Sequence, residues 1–378
     1  MSGVIYFDNS ATTQVDPAVA QRAVEMMTGK FGNPSSLHYL GAEAYTELGV
    51  ARNQLAKMIS AHTDQIYFTS GGTESNNIAL QGGMEANRAV GRHMVTTAIE
   101  HDSILACGKR LERRGCTVTY VRPDPATRRI RAQDVVDAVG PETAVVSVMQ
   151  VNNESGEILP IREIVAGVRA KNPRTLIHCD CVQGFGKLPF KLHECAVDMI
   201  SASSHKIHGP KGVGMLYLRE RSMVEPLEVG GSQEGRVNPG TESVPLACAF
   251  GLAADLELYG LQENAARVAG VRQYLVERLA AALPEAEINS PVDGSPYILN
   301  FSLPGVESGD LVSYLSLNGV YASAGSACSR GARSHVLEAM GFDEERIAGA
   351  LRVSFSRHST REEVDGLIAV LQAYRKER

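Results

Sequence analysis

The stretch Val197-Asp198-Met199-Ile200-Ser201-Ala202-Ser203-Ser204-His205-Lys206-Ile207-His208-Gly209 begins as a short apolar run and ends in hydroxyls, imidazoles and one lysine. A run of that length, closed by polar residues, reads as a buried strand. Lysine at such a place is costly unless it is paired or used chemically. A Schiff-base amine needs this kind of setting, because desolvation destabilises its ammonium form. On its own each lysine reads as a surface residue in a loop, and Lys187 and Lys211 are ordinary examples; Lys206 differs by its company.

Six further runs have the same look: Ile66–Thr69, Met94–Thr97, Thr117–Val121, Ala144–Val148, Thr175–Cys179 and Gly214–Leu218. They alternate with amphipathic stretches such as Thr73–Ala89, Ser103–Arg113 and Ile161–Ala170, which predicts an α/β fold with a mainly parallel seven-stranded sheet between helices. A chain of 378 residues exceeds what one core usually holds. The large domain is expected over residues 16–255. From Ser243 to Ala282 the pattern is helical with an interruption near Gly260 and Gly270; strands at Tyr297–Ser302 and Arg352–Phe355 follow. This predicts a smaller α+β domain from residues 256–378, joined by 1–15.

Hydrophobic residues make up 44 % and charged residues 21 %, ordinary values for a globular protein. The 37 basic and 43 acidic residues leave a net charge of −6 with no basic run, so direct nucleic-acid binding is not expected. Met1–Ser10 has no basic stretch leading into an apolar one, and nowhere do about 18 apolar residues run uninterrupted. The expectation is a cytoplasmic protein without a membrane role. Seven scattered cysteines, an odd number, argue against a disulfide framework. No C-x-x-C or H-E-x-x-H spacing suggests a metal.

In open α/β sheets ligands gather at the carboxyl ends of the strands. Ser70-Gly71-Gly72-Thr73-Glu74 follows the first run and offers amides and a hydroxyl to a phosphate, although a plain strand-to-helix turn reads the same way. No dinucleotide or triphosphate loop motif occurs, so the phosphate belongs to another cofactor. Glu100 and His101 follow the second run, Asn152, Asn153 and Glu154 the fourth, and Asp180 and Gln183 the fifth. With Lys206 they supply what an aldehyde cofactor with a pyridine ring and a phosphate needs: an amine, an acid for the ring nitrogen, phosphate donors and a flat group to stack.

The segments Tyr6-Phe7-Asp8-Asn9-Ser10-Ala11-Thr12-Thr13, Gly32-Asn33-Pro34-Ser35-Ser36, Ser70 to Asn76, Ser203 to Gly212 and Gly325-Ser326-Ala327-Cys328-Ser329 strongly resemble the cysteine desulfurases. These are fold-type I, class V aminotransferase-like enzymes that use pyridoxal 5'-phosphate. The resemblance spans nearly the whole chain. It implies that Lys206 holds the cofactor, His101 stacks on its ring, Asp180 and Gln183 meet the ring nitrogen and phenolic oxygen, and Gly72, Thr73, Ser203 and His205 hold the phosphate. It further implies a homodimer, with Thr241 reaching the phosphate of the partner's site. Asn33, Asn152 and Arg352 are implied at the substrate, Asn152 at the cofactor as well; a guanidinium fork suits an α-carboxylate.

The implied reaction moves sulfur from L-cysteine to Cys328 as a persulfide, leaving alanine. Acceptor proteins, such as an iron–sulfur scaffold or a tRNA-thiolation enzyme, then take the sulfur. The chain departs from the family at Cys181, where relatives carry a small alanine, which predicts a second thiol near the ring. It departs again at Asn238, where arginine is common, and in the shortened loop after Cys328. Selenocysteine lyase, another class V lyase or a silent scaffold are the rival readings; Cys328 favours desulfuration, and a scaffold would have lost Lys206, Asp180 or Cys328.

Overall fold

The computed structural model describes residues 3–325 and 333–377. Its central sheet has seven strands in the order Ile66–Thr69, Gly214–Leu218, Met199–Ser203, Leu176–Asp180, Thr143–Met149, His93–Thr97, Thr117–Val121. Gly214–Leu218 runs antiparallel to both neighbours, and the other pairs are parallel. All seven runs expected from sequence are strands, with ends displaced by no more than a residue.

Six of these strands are buried along nearly their whole length because both faces are covered, whereas the edge strand Thr117–Val121 leaves one face exposed. Successive residues point to opposite sides: Ile200, Ala202, Met215 and Tyr217 enter one apolar cluster, Met199, Leu216 and Leu218 the other. The register aligns the reactive ends, with Asp180 opposite both Met149 and Ser201. Side chains that follow these residues therefore emerge along one edge.

A separate apolar cluster gathers Phe7, Val268, Leu275, Leu299, Phe301, Leu351, Val353, Phe355 and Leu367. It lies on the antiparallel sheet Ala350–Ser354, Ile298–Ser302, Glu287–Ile288. Ile5–Tyr6 pairs in parallel with Val320–Tyr321, and Asp8 bridges to Ser354.

The helix Val244–Ala282 runs 39 residues without a break, against the interruption expected at Gly260 and Gly270. Glycine costs an interior turn only about 1 kcal/mol. Packing offsets that, because Ala247, Phe250 and Ala254 join the large cluster and Val268, Leu275 and Leu279 the small one. By length and composition this helix would suit a membrane span, yet half of its most apolar window is buried inside the protein, as in a core helix. The stretch expected as one helix over Thr73–Ala89 is instead Gly72–Asn77, a π turn at Ile78–Gly82, and Gly83–Ala86. At Gly82 an added Cβ would lie 2.4 Å from the Glu225 carbonyl oxygen, so the chain passes where no side chain fits.

Candidate active site

The strand Met199–Ser203 hands over to a single 3-10 turn, Ser204–Lys206, which sets Lys206 at the sheet edge. Its Nζ donates to the carbonyls of Ser10 and Ala11. The segment carrying them is pinned by Asn9 Nδ2 on the Ser354 carbonyl at 2.8 Å and by Ser10 N on Ser354 Oγ at 2.8 Å. Around Lys206 lies a cavity of about 210 Å³ whose wall includes Gly72, Thr73, His101, Asp180, Gln183, Ser203, His205 and Arg352. Nine of the expected site residues, counting Lys206, thus meet at one place.

Asp180 is buried and doubly held: Oδ1 accepts from Val182 N at 2.9 Å, and Oδ2 from Asn76 Nδ2 at 2.8 Å. The same Asn76 amide donates to Ser103 Oγ at 2.9 Å, and Ser103 Oγ lies 2.8 Å from His101 Nδ1. Ser103 N also donates to that nitrogen, at 3.1 Å, where His101 caps the helix Asp102–Arg113. Two donors on Nδ1 leave the neutral ring its proton on Nε2. Asn76 and Ser103 carry no reactive signature, and their place between Asp180 and His101 is visible only in three dimensions.

Burial shapes the other charges. His205 is pushed down to about 3, first by desolvation and then by Lys206, Lys211 and Lys187, so it meets the cavity as a neutral imidazole. Behind the wall, the buried Glu100 accepts from Thr97 Oγ1 at 2.7 Å and Met149 N at 3.0 Å. Desolvation, with Asp180 adding, pushes its carboxyl up to about 8. Lys187 is no loop lysine on the surface: it is buried and donates to Gln183 Oε1.

Arg352 is 1 % exposed. Its Nη2 pairs with Asp8 Oδ1 at 2.9 Å, and Nη1 donates to the Asn153 carbonyl at 3.0 Å. Asn152 departs from expectation: it does not line the cavity. Its Nδ2 donates to the Ile99 carbonyl, and its Oδ1 accepts from Glu154 N, Ser155 N and Ser155 Oγ, so the side chain is spent on its own turn. Asn153 lines the cavity in its stead.

Asn33 and Thr241 are exposed and line a different hollow beside Met27 and Phe31. Cys181 also departs from expectation. It lies in the large apolar cluster, 3.5 Å from Cys179 Sγ, with both thiols raised by burial. Asn238, the other departure, donates to the Phe68 carbonyl and to Glu74 Oε2, both at 3.2 Å. Cys328 lies outside the described residues. On either side of it Gly325 and Ser334 meet at Glu154: Ser334 Oγ donates to Oε2 at 2.5 Å, and a Cβ on Gly325 would lie 3.4 Å from that oxygen.

A mainly parallel sheet with an amine, a buried acid and a glycine turn at its carboxyl edge defines a class, and the Aminotransferase class-V family model matches residues 5–367. A cysteine desulfurase of Trichormus azollae is 37 % identical over 371 residues, 97 % of this chain and 92 % of that protein. A solved NifS-like protein superposes with a TM-score of 0.93 at 36 % identity, covering 99 % of this chain and all of that one. SspA, solved in complex with cysteine, gives 0.81 at 30 % identity over 94 % of this chain and 99 % of that one. The chain belongs to the cysteine desulfurases of the class-V aminotransferase family.

The cofactor of that family is pyridoxal 5'-phosphate, and the residues fit it. A Cβ on Gly72 would meet Val182 Cγ2 at 2.6 Å, so the turn at the wall is closed to side chains. On the same wall Asn153 Oδ1 and Arg352 Nε are buried polar atoms without partners. Amine, carboxylate, imidazole and turn together are the donor set of a phosphorylated pyridine aldehyde.

Proposed function

We propose that this pyridoxal-phosphate-dependent cysteine desulfurase takes sulfur from L-cysteine through Lys206 and places it on Cys328. The observation that carries the reading is the meeting of Lys206, Asp180, Gln183, His101 and Arg352 on one cavity. When bound, the pyridoxal ring supplies an electron sink for the substrate's α-carbon. Asp180 holds the ring nitrogen's proton, a task for which its two donors keep it oriented. Gln183 meets the phenolic oxygen, His101 stacks on the ring, and Gly72, Thr73, Ser203 and His205 hold the phosphate.

Arg352 turns its fork to the substrate carboxylate, which replaces Asp8 as a partner. Lys206 Nζ, which would hold the cofactor, would also serve as the base that takes the substrate's α-proton. Cys328 as thiolate attacks the substrate sulfur: the new S–S bond forms, the C–S bond breaks, and its electron pair stays with the fragment that leaves as alanine. His101 moves a proton through Nε2 during this exchange. The persulfide then passes to an acceptor, an iron–sulfur scaffold or a tRNA-thiolation enzyme, in the cytoplasm.

The working unit in this reading is a homodimer, with Thr241 of the partner subunit completing the phosphate site and Asn33 at its rim. Support comes from exposed apolar side chains on the helices Pro17–Thr28 and Tyr39–Ile59 and on the loop that joins them, Met27, Phe31, Leu37, Tyr39 and Tyr45 among them. Residues 16–255 form the cofactor domain, and 1–15 with 256–378 the smaller one that carries Cys328; the separate apolar clusters support this division, except that Val336, Leu337, Met340, Phe342, Ile347 and Ala350 pack into the larger cluster and Val151 into the smaller.

The test incubates the holoenzyme with L-cysteine and follows alanine and protein-bound sulfur. Alanine should form, and mass spectrometry should find one added sulfur on Cys328. Cys328→Ser should still bind L-cysteine but lose persulfide formation, while Cys181→Ser keeps most of the activity. Sulfur on Cys181, with Cys328→Ser turning over normally, would refute the assignment.

A further inference from the structure

Lys187 is a buried titratable group that the reaction leaves unused. It is about 5 % exposed, and its Nζ donates to Gln183 Oε1 at 3.3 Å while standing 5.7 Å from the Tyr297 ring centre. Burial pushes its pKa down to about 8, with Glu257 opposing the shift and Arg352 adding to it. At neutral pH it is still an ammonium, with three donors and no acceptor. A buried cation is costly, and this one spends its hydrogen bond on an amide.

The amide explains the expense. A glutamine's oxygen and nitrogen occupy nearly equivalent places, and only its partners decide which points where. Lys187 removes the ambiguity, because a flipped Gln183 would set NH₂ against ammonium, donor against donor. With Oε1 so held, Nε2 gives one hydrogen to the Ser10 carbonyl at 3.0 Å and keeps the second for the cavity that Gln183 lines. The Ser10 carbonyl also accepts from Lys206 Nζ. One line of hydrogen bonds therefore joins the buried lysine to the reactive one.

We infer that Lys187 is a positioning residue for the cofactor: it fixes the Gln183 side chain so that an N–H, not a carbonyl oxygen, meets the phenolic oxygen of the bound ring. The inference rests on the reading of Gln183 as partner of that oxygen. The other titratable groups around Lys187 are Glu257, Arg352, Tyr297, His205 and His208. Both imidazoles are neutral, pushed down by burial to about 3 and about 4.

The experiment measures, on purified holoenzyme, the pH midpoint of the visible absorbance of the lysine-bound cofactor. Lys187→Met and Gln183→Met should each raise it by about one unit, a tenfold change in proton affinity, because a donor to the phenolate is lost. The double variant should move no further than Gln183→Met alone, the signature of two residues acting as one. Lys187→Arg, which keeps the cation and its donors, should stay within a few tenths of the wild type. If Lys187→Met does not fold, Lys187→Gln takes its place, since a neutral amide no longer dictates the flip. Should Gln183→Met leave the midpoint unmoved, the reading of Gln183 fails and the inference with it. If Gln183→Met moves it but Lys187→Met does not, or if the two shifts add, the inference alone is overturned.

Discussion

Glu100 shows how a side chain can be fixed in its protonation state by where a strand ends. It is fully buried, its Oε2 has no partner, and its pKa is pushed from 4.5 up to about 8. The folded state therefore binds a proton that the unfolded chain releases above 4.5, and stability falls as pH rises from about 4.5 to about 8. Glu100→Gln keeps the acceptor for Thr97 and Met149 but cannot ionise. Its thermal or urea stability relative to wild type should grow across that window, by up to about 1.4 kcal/mol per pH unit, and stay level below it. A constant difference from pH 4 to 8 would show that Glu100 does not titrate with folding. His101, Asp180 and Lys206 were legible in the sequence because each follows an apolar run and lands where the sheet ends. Lys187 was not, since only the packing of Tyr297 and Gln183 around it makes it a buried residue. Asn152 and Asn153 are adjacent in one turn, and no local pattern says which of them faces the cavity.

Among the elements, the helix Val244–Ala282 carries the clearest lesson about glycine. Gly260 and Gly270 read as interruptions because glycine is a poor helix former, but a helix held along its length by two cores overrides two weak positions. A Cβ at Gly270 would meet nothing within 4 Å. Gly270→Ala should therefore raise stability by about 0.5–1 kcal/mol in a denaturant melt, with no change in the cofactor's absorbance. A loss of stability would mean that the position needs glycine for a reason other than helix propensity. Strand positions were read to within a residue because a doubly covered parallel sheet leaves continuous apolar runs. The π turn at Ile78–Gly82 left no such trace, and the close approach of the Glu225 carbonyl to Gly82 comes from distant sequence.

For the whole molecule, the exposed apolar surface is the feature that calls for a partner. Phe31 is 65 % exposed, Tyr39 78 % and Tyr45 68 %, and large exposed apolar side chains gathered within one short stretch suit an interface. Replacing Phe31 and Tyr45 together by aspartate should convert a dimer into monomers in sedimentation velocity. Because Thr241 is proposed to serve the partner's phosphate, the monomer should also bind the cofactor at least tenfold more weakly. A dimer that survives the pair of charges would place the interface elsewhere.

The order in which the chain leaves the ribosome gives the pairing of Ile5–Tyr6 with Val320–Tyr321 a meaning in time. Residues 9 and 10, anchored on Ser354, carry or adjoin the carbonyls that receive Lys206 Nζ. Synthesis runs from the amino end onward, so Asn9 and Ser10 wait for Ser354, which follows Ser10 by 344 residues, before they can dock. The sheet that bears Lys206 can assemble before Ser354 is made, but the carbonyls that orient its amine are anchored only after it. A nascent or truncated chain that stops short of Ser354 would thus carry the lysine without its holder, and capture of the cofactor in its working pose becomes a check that Ser354 has been made and docked.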